Sequence, residues 1–164
     1  MSADFRINEM PTGTLIRPAL DSEMDCVRRL FLEYAAGLGV SLCFQNFDHE
    51  LAQLPGYYAP PRGALLVGES DGGVCGVVAL RPASDSAAEM KRLYVQPHAR
   101  NTGLGRQLAE AIIEHARLLG YRSIRLDTLA PMTRAIALYR SIGFREITPY
   151  YENPHAALFF ELDL

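Results

Sequence analysis

Glu89-Met-Lys-Arg-Leu-Tyr-Val-Gln-Pro-His-Ala-Arg-Asn-Thr-Gly-Leu-Gly-Arg-Gln-Leu108 decides how the rest of the chain is read. It predicts a strand, a tight turn and then a helix. The turn holds Arg100-x-x-Gly103-x-Gly105. Glycine there takes φ > 0 at no steric cost and lets a bulky ligand approach the backbone. The helix that follows begins with unpaired N–H groups and a partial positive charge. Together they suit a phosphate or pyrophosphate.

Other phosphate-binding loops fit less well. A Walker loop needs Gly-x-x-x-x-Gly-Lys-Ser/Thr, which the chain lacks. A dinucleotide fingerprint needs Gly-x-Gly-x-x-Gly in the first βαβ unit and an acidic residue ~20 positions on. Leu108 stands where the third glycine belongs, and only Asp127 falls near the acidic position. An ordinary strand-to-helix turn stays open on these residues alone.

A wider window is more specific. Val95-x-Pro97-x-x-Arg100-x-x-Gly103-x-Gly105 resembles the acetyl-CoA-binding motif of the GNAT superfamily of N-acetyltransferases. Downstream, Ala135-x-x-Leu138-Tyr139-x-x-x-Gly143-Phe144 resembles that family's later helix and the strand after it. The two blocks keep the family's order and spacing and span about residues 88–146. The resemblance implies acetyl transfer from acetyl-CoA to a primary amine.

Composition sets outer limits. The chain has 164 residues, 49% hydrophobic and 21% charged, as expected for a soluble domain. A net charge of −3 without a basic stripe argues against a nucleic-acid partner. No apolar run nears the ~18 residues of a membrane span. The first residues lack a signal-peptide apolar stretch. Cys26, Cys43 and Cys75 fit neither a disulfide framework nor a zinc pattern, so no metal and a reducing cytoplasm are expected.

The pattern of apolar residues and turn signals divides the chain. Residues 1–12 read as a loose leader and 13–164 as one domain. A strand over 14–17 precedes a helix over 22–36, with Asp21 as its N-cap. A short helix fits 46–54, and the Pro- and Gly-punctuated 54–63 is a loop. Asp71-Gly72-Gly73 signals a hairpin between strands 64–69 and 74–81. Residues 88–95 form a strand with Glu89, Lys91, Leu93 and Val95 on one face. Then come a helix over 104–119, a strand over 123–128, a helix from Pro131 to Ser141, and strands over 144–147 and 157–162. The expected class is α/β (α+β): a mixed, partly parallel sheet with helices on both faces, as in the GNAT fold.

The chemistry has three demands. The amine must lose a proton, the tetrahedral oxyanion needs N–H donors, and the thiolate must be protonated. The resemblance assigns Tyr139 as general acid and Glu89 as the base; a buried core Tyr and a solvated Glu are the plainer readings. It assigns Leu93, Tyr94 and Val95 to the pantetheine arm, paired as added sheet. Arg100, Asn101, Thr102, Gly103, Leu104, Gly105 and Arg106 match the pyrophosphate loop. Met132 departs from the pattern, since many relatives carry a cofactor-binding Asn there; Thr128 is the expected substitute. No Cys lies in the matched blocks, so direct transfer in a ternary complex is expected.

The acceptor is less legible. Tyr34, Phe47, Tyr58 and Tyr151 are the substrate-side candidates, with Gln45 and Asn153 nearby in the same segments. They favour a small amine over a basic protein tail. A non-catalytic acyl-CoA-binding module and a nucleotide-binding domain stay open as alternatives. The apolar final strand at 157–162, read as a sheet edge, suggests a homodimer.

Overall fold

The computed structural model describes residues 8, 9 and 13–164. The other residues of the expected leader, 1–7 and 10–12, lie outside the described residues. The strands are β1 (Asn8–Glu9), β2 (Leu15–Pro18), β3 (Ala64–Ser70), β4 (Gly73–Pro82), β5 (Ala87–Val95), β6 (Ser123–Leu129), β7 (Arg145–Ile147) and β8 (Ala157–Asp163). The helices are α1 (Met24–Leu38), α2 (Phe47–Gln53), α3 (Leu104–Leu118) and α4 (Thr133–Ile142). All eight strands join one sheet in the order β1-β2-β3-β4-β5-β6-β8-β7. Among the described strands only β5 and β6 run parallel. The mixed, partly parallel sheet expected from the sequence is present.

Each face of the sheet carries its own core. On one side α1 and α2 bury Val27, Leu30, Phe31, Phe47 and Leu51 against Leu65, Val67, Val77 and Ala79. On the other, α3 lays Leu104, Leu108 and Ile112 on β3 and β4. Each such side chain removed from water contributes about 1.5–3 kcal/mol. Two strand glycines set the depth of that contact. A Cβ at Gly68 would lie 2.8 Å from Leu104 Cδ1, and one at Gly76 2.8 Å from Leu108 Cδ1. The close approach fixes the start of α3 against β3 and β4.

Two features of β5 shape the site. A bulge interrupts its pairing with β4: Ala79 faces Lys91 but Val77 faces Tyr94. Arg92 takes φ of 60° at this point. An extra residue reverses the alternation of side chains beyond it. The expected common face of Glu89, Lys91, Leu93 and Val95 is therefore corrected. Glu89 and Lys91 share the α1–α2 side with Arg92 and Tyr94, whereas Leu93 and Val95 turn toward α3. The second feature is a splay. β5 pairs with β6 only through Ala87–Glu89, opposite residues 123–125, although both strands continue.

Other expectations also shift. Asp21 does not cap α1; it opens a 3-10 turn, and Glu23 reaches back to accept the Leu20 N–H at 2.8 Å. Helix α4 starts at Thr133, so Pro131 precedes it. Tyr58, expected on a binding loop, is 1% exposed and packs edge-on to Phe31. It is a core residue, because a 3-10 turn over Gly56–Tyr58 rolls its ring under the sheet. Strand β8 lies between β6 and β7, which removes the edge-strand ground for a homodimer. No helix of the described residues is long and apolar enough to cross a membrane.

Candidate active site

The splay of β5 from β6 opens a cavity of about 80 Å³. Met90 to Leu93 form one wall and Leu126 to Leu129 the other. Tyr34 and Leu38 of α1 approach from one side of the sheet, and Ala135 and Tyr139 of α4 from the other. Strands that diverge leave backbone groups unpaired along their facing edges, which a bound chain can take up as added sheet. Leu93, assigned to the donor by resemblance, and Thr128, the expected substitute for the contact that Met132 cannot make, both line this gap. The Thr128 hydroxyl lies 3.6 Å from the Met132 sulfur, which lines it too.

Tyr139 is buried, and its ring packs edge-on against Phe144 with centroids 5.7 Å apart. Burial pushes its hydroxyl above the usual tyrosine range, and the nearby Tyr34 and Asp127 add to the shift. Such a phenol stays protonated at neutral pH, as a proton donor must, while burial also makes it a weaker acid.

The glycine turn lies past the end of β5. Asn101 and Gly103 both take positive φ, at 63° and 86°. Gly103 is the N-cap of α3, so the first N–H groups of that helix point out of the turn. Arg100 Nε donates to the Val95 carbonyl at 2.9 Å, and its guanidinium stacks over Tyr94. The Thr102 hydroxyl donates to the Ala99 carbonyl at 2.6 Å. Arg106 pairs with Glu110 at 3.0 Å and also donates to the Ser141 hydroxyl. These side chains stabilise the turn, and its backbone amides have the geometry that suits an anion. Leu104 is a core residue, and Gly105 sits against Val95.

The α1–α2 side of the gap is charged. Arg92 makes a two-pronged pair with Glu50, Nε to Oε2 at 2.9 Å and Nη2 to Oε1 at 3.0 Å. Its guanidinium also lies 5.1 Å from the Phe47 ring centroid. Phe47, a substrate-side candidate, is thus buried beneath Arg92 and does not line the cavity. Tyr94 likewise faces Tyr34, ring centroids 6.5 Å apart, away from the gap.

Glu89 is 3% exposed and also stands off the cavity wall. One oxygen accepts from Arg81 Nε at 2.8 Å and the other from the Tyr150 hydroxyl at 2.6 Å. The carboxylate that does line the cavity is Asp127. Its Oδ2 accepts from the Tyr151 hydroxyl and from Asn153 Nδ2, the latter at 3.0 Å. Tyr151 therefore reaches the site through Asp127 rather than by forming its wall. Lys91 lies between the two acids, its Nζ 3.7 Å from Asp127 Oδ1 and 4.0 Å from Glu89 Oε1. Burial lowers the Lys91 pKa, against the pull of both carboxylates.

Sequence reading gave no role to Lys91, Arg92 or Asp127. Their signal was present: adjacent cations beside an acid inside one strand, and an acid inside the next one. Buried charges persist only when paired or used.

The chain matches the acetyltransferase (GNAT) family over residues 27–144. It is 42% identical over 137 residues to an uncharacterized N-acetyltransferase of Schizosaccharomyces pombe, covering 82% of this chain and 84% of that protein. It is 33% identical over 124 residues to an uncharacterized N-acetyltransferase of Escherichia coli K12, covering 74% and 73%. An acetyltransferase of Salmonella typhimurium, solved with its cofactor acetyl-CoA, shares the fold at a TM-score of 0.69 and 21% identity. That match covers 92% of this chain and 94% of the other.

Proposed function

Because the chain belongs to the acetyltransferase (GNAT) family and so takes its acyl group from acetyl-CoA, we propose that it acetylates a small primary amine by direct attack in a ternary complex. The observation that carries this reading is a single cavity lined by Tyr139 from one side of the sheet and Asp127 from the other. The donor's pyrophosphate sits on the amides of 101–106, and its pantetheine arm runs along the open edge of β5 at Leu93 to Val95. The thioester then reaches the gap between β5 and β6. An N–H of that edge steadies the oxyanion.

The amine approaches from the α1 side past Tyr34. Its proton passes to Asp127, its nitrogen bonds to the thioester carbon, and the C–S bond breaks. Tyr139 protonates the departing thiolate. Glu89 was the acid expected to accept the amine proton. With both oxygens engaged, it is better suited to hold Lys91 and Arg81 in place. A small acceptor suits a cavity walled by Tyr34, Leu38, Asn153 and His155.

The test is a thermal melt with acetyl-CoA, CoA, NAD and ATP, followed by thiol release across a panel of amines. Ligand at 100-fold over its Kd adds about 2.7 kcal/mol to stability. Acetyl-CoA and CoA are expected to raise Tm, with NAD and ATP giving no comparable shift. Asp127→Asn should then lower kcat far more than Glu89→Gln. The reading fails if CoA gives no shift or if no amine releases thiol.

A further inference from the structure

Three cations and three carboxylates meet on the α1–α2 side of the gap, and two pairs close fully. Arg92 is joined to Glu50 at 2.9 and 3.0 Å, and Arg81 to Glu89 at 2.7 and 2.8 Å. The third pair does not close. Lys91 Nζ stands 3.7 Å from Asp127 Oδ1, beyond hydrogen-bond reach. The Lys91 ammonium has three protons to donate, and the hydrogen bond it makes is to Gln45 Oε1 at 3.3 Å. That oxygen is shared with Arg92 Nη1 at 2.9 Å. Asp127 spends Oδ2 on Tyr151 and Asn153, which leaves Oδ1 facing Lys91. The two side chains are only 4% and 8% exposed, and both line the cavity.

A buried ammonium and a buried carboxylate that face each other without a hydrogen bond between them are costly unless something completes them. What completes both at once carries a cation for Asp127 and an anion for Lys91 on neighbouring atoms. We infer that the acceptor is an α-amino acid, its amino group seated on Asp127 Oδ1 and its carboxylate on Lys91 Nζ. This rests on the acetyltransferase reading above and names its substrate class.

The charges explain the order of the chemistry. The substrate enters as a zwitterion, and Asp127 draws the ammonium into the gap. One proton moves from that nitrogen to Asp127 Oδ1, freeing the lone pair. The nitrogen bonds to the thioester carbon, the C–S bond breaks, and the thiolate takes the Tyr139 proton; the second proton that the nitrogen sheds on becoming an amide restores the Tyr139 phenol. The products are an N-acetyl amino acid and CoA. Lys91 touches the carboxylate throughout but no atom that changes its bonding, so its part is selection.

The experiment compares the standard L-amino acids with their carboxamides and decarboxylated amines as acceptors, by thiol release from acetyl-CoA. A site built around a charged partner rejects an analogue that lacks it, so the best amino acid should exceed its carboxamide by about 10²-fold or more in kcat/KM. Lys91→Met should bring that ratio to within a few-fold, chiefly through KM for the amino acid, while Lys91→Arg retains part of it. A wild-type ratio near one overturns the inference, and so does an undiminished ratio in Lys91→Met. Should Lys91→Met fail to fold, the wild-type ratio decides. Acetylation of simple amines without such preference overturns the substrate class and leaves the acetyltransferase reading standing. No thiol release with any amine, despite a Tm shift by acetyl-CoA, overturns both.

Discussion

Arg92 and Glu50 lie 42 positions apart in sequence yet meet through two parallel hydrogen bonds, at 2.9 and 3.0 Å, with both side chains buried. Arg92 holds the residue conformation that makes the bulge in β5, at φ of 60°. A non-glycine residue there costs about 1 kcal/mol. The ion pair ties that strained residue to α2 and keeps the bulge where it turns Leu93 and Val95 toward α3. Removing one charge leaves the other buried without compensation. Arg92→Met should lose about 3 kcal/mol. Adding Glu50→Leu should restore most of it, since two apolar side chains then replace the pair. Urea denaturation of both variants measures this, and a double variant as unstable as the single one would refute it.

Tyr139→Phe removes one oxygen from a ring that otherwise packs on Phe144. Stability should change little. Turnover should fall by about 10²-fold or more, the scale of a lost general acid. The acetyl-CoA-induced rise in Tm should persist. Stopped-time thiol release gives kcat, and an unchanged value would take Tyr139 out of the proton path.

Gly105 separates fold from binding. It lies in the first turn of α3 with ordinary helical φ, and an added Cβ would sit 3.8 Å from Val95 Cγ2, a normal contact. Nothing in the folded chain forbids alanine there, and alanine favours helix by up to about 1 kcal/mol. Gly105→Ala should raise the Tm of the free protein yet shrink the further rise given by acetyl-CoA, because the methyl group occupies the pyrophosphate's approach. Calorimetric titration with acetyl-CoA checks the second half, and unaltered affinity would place the pyrophosphate elsewhere.

Acid should weaken the start of α1. Arg17 grips Glu23 at 2.6 and 2.8 Å, and the Leu20 N–H donates to the same carboxylate. The Arg17 hydrogen bond is the largest cause pulling the Glu23 carboxyl from 4.5 to about 2, against the opposing effect of desolvation. The folded value is the lower one, so the stabilisation is complete above pH 4.5 and disappears as pH falls toward 2. Glu23→Gln should cost about 1 kcal/mol at neutral pH, the upper end for a pair at the surface. Its melting deficit should narrow below pH 4.5. A deficit that stays constant across melts at successive pH values would argue against the linkage.

The sequence carried whatever is local. The Asp71–Gly73 hairpin, the turn before α3 and the Gly143 stop after α4 all follow from residues that fix their own backbone. What it did not carry depends on distant partners. A period of two runs through β5 on paper, and the bulge at Arg92 breaks it because Glu50 of α2 draws the guanidinium over. Glu89 reads as an open acid until Arg81 and Tyr150 close on it. Tyr58 reads as a loop aromatic until Phe31 packs beneath it. Asp127 gains meaning only beside Lys91, 36 positions earlier in the chain and across the splay.

The place of β8 bears on how the protein is made. It is inserted between β6 and β7, and both come before it in the chain. A ribosome delivers the two outer members of this trio before the one that joins them. Until 157–163 emerge, β7 has no neighbour, and β6 lacks the antiparallel partner that steadies Asp127 and Thr128. The strands through β5, and α3 with its amide turn, have all been delivered by then. Maturation is therefore staged: the strands through β5 with α3 can settle early, and the β6 side of the gap is finished late.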